Sequence, residues 1–203
     1  MTGKAHLTIG IAATVAASKH FKININLASL TVCSIASVFP DIDHPKSLIN
    51  KYILPVKNKS VKLTIYLSLG IFIIALNMFY FNYTYLNVIG ISLILIGVST
   101  HREGVIHSLN GLFIFSITFA YTSKRLGYSG YSIPFFIGYI SHIIADMFTN
   151  RGVPLFYPFI KKKIKMPLTF RVGSWQGKIV EGLIMASCLT YITFELPYIL
   201  SSL

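Results

Sequence analysis

The densest group of ionisable side chains in this sequence lies in the segment VFPDIDHP, residues 38–45. It places Asp41, Asp43 and His44 between two prolines, in a chain with only six acidic residues and six histidines. The first proline ends the preceding apolar run and the second restricts the residue before it, so the three side chains project from a stiff turn. One Asp would serve as a helix cap. Two Asp and a His together favour a site for zinc, manganese or iron, because these ions accept mixed oxygen and imidazole ligands.

A second candidate pair lies in the segment GYISHIIADMF, where His142 and Asp146 are four residues apart. On a helix this spacing directs both side chains from one face, about one turn apart. Ionisable groups in apolar surroundings are costly unless they are paired or bind an ion. The spacing is therefore compatible with a metal site, and equally with a structural hydrogen bond between the two side chains.

A third group lies in the segment STHREGVIHSLNG, where His101 and His107 flank Arg102 and Glu103. If a helix begins just before His107, both histidines can turn toward one site. Arg102 and Arg151 are candidates for holding a phosphate group, since a guanidinium matches its geometry. Contact with lipid headgroups is the simpler role for these arginines, and the sequence leaves both open.

The segments that carry these residues are too apolar for an average soluble domain. The chain is 54% hydrophobic and only 12% charged, and residues 63–81 and 85–100 are apolar over about the length that a bilayer core requires. We predict an all-α fold, a polytopic integral membrane helical bundle with about five spanning helices plus a short N-terminal helical pair that is either re-entrant or spanning. Residues 1–203 would form a single membrane-embedded domain. Apolar runs and breakers predict helices at 6–18, 27–39, 62–81, 85–100, 107–122, 131–148 and 177–199.

The basic residues predict the orientation of this bundle. If every predicted helix crosses the membrane, fourteen of the 18 Lys and Arg residues fall on one side, which the positive-inside rule identifies as the cytoplasm. The candidate site residues fall at this cytoplasmic end, and only His20 and Glu195 among the histidines and acids fall at the other. We therefore expect a one-sided site that opens toward the cytoplasm.

The segments PDIDHPKS, HRE…HS and GYISHIIADMFTNRGVPLFYP together resemble the YdjM-like family, described as LexA-regulated, inner-membrane, metal-dependent hydrolases. The resemblance extends from TGKAHL, near the first residue, to Gly173, Ser174 and Glu181. It implies Arg102 and Glu181 as supporting polar groups, and metal or active-site positions at His6, Asp41, Asp43, His44, His107, His142 and Asp146. The family is similar to zinc-dependent phospholipase C and P1 nuclease folds, which implies phosphoester hydrolysis by analogy.

These lines combine into one functional hypothesis, a metal-dependent hydrolase of the inner (cytoplasmic) membrane that acts on a phosphoester or lipid-linked substrate. One or more divalent ions, with zinc preferred, would activate water. The predicted catalytic residues are Asp43, Arg102 and Glu181. The predicted metal ligands are His6, Asp41, Asp43, His44, His101, His107, His142 and Asp146.

Two other hypotheses use the same residues without catalysis. In the first, the His and Asp residues form a metal-binding, transport or structural network, although a transporter would need ionisable groups along a path to the far side. In the second, basic loops such as Lys161 to Lys163 bind a cytoplasmic protein. The Lys and Arg residues cluster in loops beside apolar segments, so we expect anionic lipid headgroups as partners and no nucleic acid. Cys33 and Cys188 form no CxxC pair and predict neither a disulfide framework nor a cysteine zinc site.

Overall fold

The computed structural model describes residues 1–21, 23–43, 58–99 and 104–202, and within these ranges it contains helices and no named β-strand. The predicted all-α class is therefore confirmed. Short 3-10 turns occupy Phe39–Asp43, Val105–His107 and Ser129–Tyr131. The α-helices of the described residues are α1 (Gly3–Ser18), α2 (Leu27–Val38), α3 (Lys59–Leu76, continued by a π turn over Asn77–Phe81), α4 (Thr84–Val98), α5 (Leu109–Arg125), α6 (Ser132–Met147), α7 (Trp175–Phe194) and α8 (Leu196–Ser202).

Polar side chains set the first residue of several helices. Asn58, Ser108 and Ser174 each accept a hydrogen bond from the backbone N–H three residues later, which satisfies a donor that the first turn leaves open. These caps start α3, α5 and α7 at positions that differ by two or three residues from the sequence prediction. The predicted helix at 177–199 is also wrong at its end, because α7 stops at Phe194 and α8 follows. Pro197 has no N–H to continue the helical hydrogen bonds there.

Two helical segments of the described residues are long and apolar enough to cross a membrane, Lys59–Phe81 with 23 residues and Trp175–Phe194 with 20. Helices α1, α2, α4, α5 and α6 have 12 to 17 residues, which corresponds to roughly 18–26 Å. A bilayer core is about 30 Å thick. The prediction of about five spanning helices therefore stays a prediction.

Helix α6 lies at the centre of the bundle, against α1, α2 and α5. The hairpin of α3 and α4 packs outside α5, and α7 packs on α1. Small residues allow the closest of these contacts: a Cβ at Gly138 of α6 would lie 2.4 Å from the carbonyl oxygen of Cys33 in α2. A Cβ at Gly10 of α1 would likewise lie 2.6 Å from Ser37 Cβ. Glycine at these positions lets three helices approach closely.

The outer helices expose apolar side chains instead of burying them. Ile71 and Phe72 of α3 are 52% and 58% exposed, and Leu183 and Leu189 of α7 are 64% and 52% exposed. Exposed apolar surface of this extent marks contact with a partner or with lipid. These helices therefore present a lipid-compatible surface around the polar interior described next.

Candidate metal centre

Five of the predicted site residues converge in one buried cluster, which we call the His/Asp cluster. Four separate segments supply them, namely α1, the turn after α2, the turn before α5, and the last two turns of α6. All five lie at one end of the bundle, while Lys19 and Glu195 form an ion pair of 2.5 Å at the opposite end. The hydrogen bond with Glu195 raises the pKa of Lys19. The cluster consists of His6, Asp41, His107, His142 and Asp146.

Asp146 has no exposed side-chain surface, like His6 and His142. Its Oδ1 accepts a hydrogen bond of 2.7 Å from the backbone nitrogen of Met1 and lies 3.4 Å from His6 Nε2. Its Oδ2 lies 3.7 Å from His142 Nε2 and 3.9 Å from His107 Nε2. One carboxylate therefore faces all three imidazoles.

Asp41 is the most accessible member, with 16% of its side chain exposed. Its Oδ1 lies 3.5 Å from His107 Nε2 and 3.9 Å from His142 Nε2. Burial raises the pKa of this carboxyl, but the attraction of His142 and the hydrogen bond from His107 outweigh burial and hold the pKa well below its usual range. Asp41 therefore offers ionised carboxylate oxygens at the edge of the cluster.

His142 is oriented by a backbone carbonyl. Its Nδ1 lies 2.8 Å from the carbonyl oxygen of Ser37, and because a carbonyl oxygen only accepts, Nδ1 carries the proton. In its neutral form the ring then presents an unprotonated Nε2 to the two carboxylates. A hydrogen bond at the far ring nitrogen is the usual arrangement of a metal-ligating histidine.

Several nitrogens of the cluster lack hydrogen-bond partners among the described residues. They are both ring nitrogens of His6 and Nε2 of His142. The two rings stack with centroids 3.8 Å apart and planes inclined by 17°, and both are fully buried. Leaving a buried polar group without a partner costs about 1–3 kcal/mol, so an arrangement of this kind suits a bound cation.

The spacing of the ligand atoms also fits an ion. A tetrahedral centre with bonds of about 2.1 Å separates its ligand atoms by roughly 3.4 Å, and the carboxylate-to-imidazole distances here are 3.4–3.9 Å. Two triads have their ligand atoms within 4.8 Å of one another, His6 with His142 and Asp146, and Asp41 with His107 and His142. Both triads use His142, whose Nδ1 is already engaged by Ser37. His142 can therefore ligate an ion in only one triad at a time.

The remaining predicted site residues are not in this cluster or lie outside the described residues. His44, His101 and Arg102 lie outside the described residues. The backbone of Asp43 ends the turn Phe39–Asp43, but its side chain lies outside the described part of the chain. Glu181 of α7 is buried, and its Oε2 accepts a hydrogen bond of 3.3 Å from the backbone N–H of Thr2. Glu181 thus contacts the first residues of α1, close to the turn that carries His6.

Two further groups support the cluster and were not predicted from the sequence. The Ser37 carbonyl orients His142, and no side-chain pattern signals a backbone acceptor. The Tyr139 hydroxyl donates a hydrogen bond of 2.7 Å to the carbonyl of Ile106, the residue before His107. Tyr139 lies three residues before His142 on the same helix, and this spacing was the available signal.

Comparisons with known proteins agree with the sequence resemblance. The chain is 29% identical to the protein named "Uncharacterized protein YvsG" of Bacillus subtilis (strain 168) over 189 residues, which cover 93% of this chain and 92% of that protein. No solved structure matches the chain. The family model described as YdjM inner membrane protein matches residues 1–200. The chain therefore belongs to the YdjM inner membrane protein family.

Proposed function

We propose that this protein is a metal-dependent hydrolase of the inner membrane and that the His/Asp cluster holds its metal ion. The observation that carries the proposal is the convergence of five candidate ligand side chains from four segments, with buried ring nitrogens of His6 and His142 that make no hydrogen bond within the part of the chain that the structure describes. Three imidazoles and two carboxylates are a donor set suited to zinc, manganese or iron, and zinc is our preferred ion.

The chain's own residues divide between holding the ion and positioning its ligands. When bound, the ion would supply Lewis acidity and an acidified water. His6, His142 and Asp146 would hold the ion at the buried side, and Asp41 and His107 would close the accessible side. Ser37 would fix the tautomer of His142. Glu181 would position α1 and hence His6, which revises its expected catalytic role to a positioning role.

Asp43 and Arg102 remain our candidates for catalytic groups. Asp43 follows Asp41 by two residues in the same turn, and Arg102 precedes the turn that carries His107. We propose Asp43 as a general base and Arg102 as the group that binds a phosphoester oxygen.

The proposed location of the site is the cytoplasmic face of a multi-pass protein. The positive-inside rule supports this orientation, because Lys161, Lys162, Lys163 and Lys165 lie in the segment between α6, whose last turns carry the cluster, and α7. Phe159 and Leu168, in the same segment, are 85% and 82% exposed. Exposed apolar and basic side chains side by side suit contact with anionic lipid headgroups, and a phosphoester at headgroup level is the substrate class we favour.

A structural polar network is the second candidate. It is favoured by one observation, that cluster members already lie within ion-pair distance of each other without an ion. In that case the histidines would be protonated partners of the two carboxylates, and no activity would follow.

Elemental analysis of the detergent-purified full-length protein separates these candidates. We expect about one divalent ion per chain in the wild type, and a metal content more than tenfold lower in Asp146→Asn and His142→Gln. Loss of a contact to the outer side of a ligand already lowers metal affinity about 10–100-fold, and loss of the ligand itself should lower it at least as much. Glu195→Gln is the matched control, a buried acid at the opposite end of the bundle. Metal-loaded protein is then assayed with 4-nitrophenyl phosphate, bis(4-nitrophenyl) phosphate and phospholipid vesicles. Equal, substoichiometric metal in all four proteins would refute the proposal, and bound metal without turnover would favour a non-catalytic metal site.

A further inference from the structure

An apolar cavity of about 260 Å³ lies between α4 and α5. Ile89, Leu93 and Ile96 line it from α4, and Phe115 and Phe119 line it from α5. Phe39 and Phe135 close its inner side. No charged side chain contributes to the lining.

The cavity does not suit water. Several water molecules would be needed to fill it, since one water takes up about 30 Å³, and each buried water needs two to four polar partners. The lining contains three hydroxyl groups, and two of these, from Ser92 and Thr118, lie 3.3 Å apart in a hydrogen bond with each other. An occupant must therefore gain its binding energy from apolar contact.

The cavity also communicates with the surroundings of the bundle. Ile89, Leu93 and Phe119 are only partly buried, and the neighbouring outward residues Ile91 and Ile117 are 59% and 66% exposed. The α4 lining runs from Ile89 to Ile96, which is about 10 Å along the helix axis. In a membrane protein, a slot of this shape between two helices is accessible to the chains of the surrounding lipid.

Phe39 connects the inner side of the cavity to the turn that carries Asp41 of the His/Asp cluster. Phe39 packs against Phe115, Phe135 and Tyr139, with ring centroids 5.1, 5.9 and 5.7 Å away. It precedes Asp41 by two residues in the same 3-10 turn. Asp41 is also the most accessible member of the cluster. A molecule with an apolar chain in the cavity would therefore have its polar end near the accessible edge of the cluster.

We propose that this cavity binds one hydrocarbon chain of a membrane lipid. The lipid would enter between α4 and α5 and direct its headgroup toward Asp41. That the bound lipid is a substrate rests on the function proposed above, whereas occupation of the cavity does not.

Photolabelling of the detergent-purified full-length protein tests the occupation. The probe is a phosphatidylglycerol with a diazirine in one acyl chain, in competition with unlabelled phosphatidylglycerol, and labelled peptides are located by mass spectrometry. We expect saturable labelling within residues 89–96 and 115–122, and non-saturable labelling at the outward Ile71 and Phe72 of α3.

Two variants that fill the cavity make the test specific. Ser92→Phe and Thr118→Phe each place a large side chain in the lining, and we expect saturable labelling to fall about tenfold, or about 1.4 kcal/mol. Ile91→Phe is the matched control, because it introduces the same aromatic side chain on the exposed face of α4, where Ile91 is 59% exposed. Thermal unfolding identifies a variant that has not folded, in which case the other filling variant decides.

The outcomes separate this proposal from the proposed function. Labelling that is non-saturable, or equal in the filling variants and Ile91→Phe, would refute the lipid site even if metal is bound. Saturable labelling in a protein that binds no metal would support the lipid site and refute the hydrolase. If both hold, Ser92→Phe should lose phospholipid turnover and keep turnover of 4-nitrophenyl phosphate.

Discussion

The contact between α2 and α6 should control the metal affinity of the His/Asp cluster, and Gly138→Ala tests this. The added Cβ would lie 2.4 Å from the Cys33 carbonyl oxygen and 2.9 Å from Ala36 Cβ. Because the first obstacle is backbone, α2 must move as a unit, by about 1 Å to reach an ordinary contact distance of 3.4 Å. Overpacking of this kind costs about 1–3 kcal/mol.

The same movement acts on the cluster through Ser37, which lies four residues after Cys33 in α2. Its carbonyl lies 2.8 Å from His142 Nδ1, so a shift of about 1 Å would take the pair beyond hydrogen-bond distance. His142 would then lose the contact that fixes its tautomer. Loss of such an outer contact weakens metal binding about 10–100-fold.

Competition with a chromogenic chelator measures the affinity, and thermal unfolding in detergent measures the stability. Gly182→Ala is the control, since nothing lies within 4 Å of a Cβ at that position of α7. There we expect unchanged affinity and a stability gain of about 0.4–1 kcal/mol. If Gly138→Ala keeps the wild-type affinity while its stability falls, α2 does not position the metal ligands and the reasoning is wrong.

Three further predictions concern the surroundings of the cluster. Tyr139→Phe removes the hydrogen bond to the Ile106 carbonyl and should cost about 1–3 kcal/mol of stability. Because Ile106 precedes His107, the variant should also bind metal more weakly, and an unchanged affinity in the chelator competition would contradict this second effect. Treatment with a chelator should lower the unfolding temperature of the wild type, because an ion that binds only the folded state stabilises it, and should leave that of His142→Gln unchanged in the same thermal scan. Glu195→Gln removes the partner of Lys19 and should lower the unfolding temperature while elemental analysis finds the metal content of the wild type; a loss of metal would show that the two ends of the bundle are coupled.

The sequence alone determined the helical class and the approximate helix bounds. The prediction at 27–39 compares with Leu27–Val38, and that at 131–148 with Ser132–Met147. These bounds are local properties, because apolar runs, prolines and polar caps act within a few residues of each other. The predicted helix at 177–199 missed the break after Phe194, because its apolar run continues past Pro197 although proline is a signal for a helix break.

The candidate site was predictable to the same local extent. Ionisable residues are few and costly in this apolar chain, so His6, Asp41, His107, His142 and Asp146 could be selected by residue type and by the end of the helix they occupy. Sorting helix ends by charge placed these residues at a common end. It could not measure distance: Glu181 lies at the same end, and its carboxylate contacts Thr2, the N-cap residue of α1.

Only the tertiary structure decided which of these groups meet and how each is oriented. The approach of α1, α2 and α6 depends on Gly10 and Gly138, whose missing side chains let backbone atoms of one helix touch the next. That approach brings the Ser37 carbonyl to His142. Close packing between segments distant in the chain is a collective property of all their side chains, and for this reason no single sequence motif contained it.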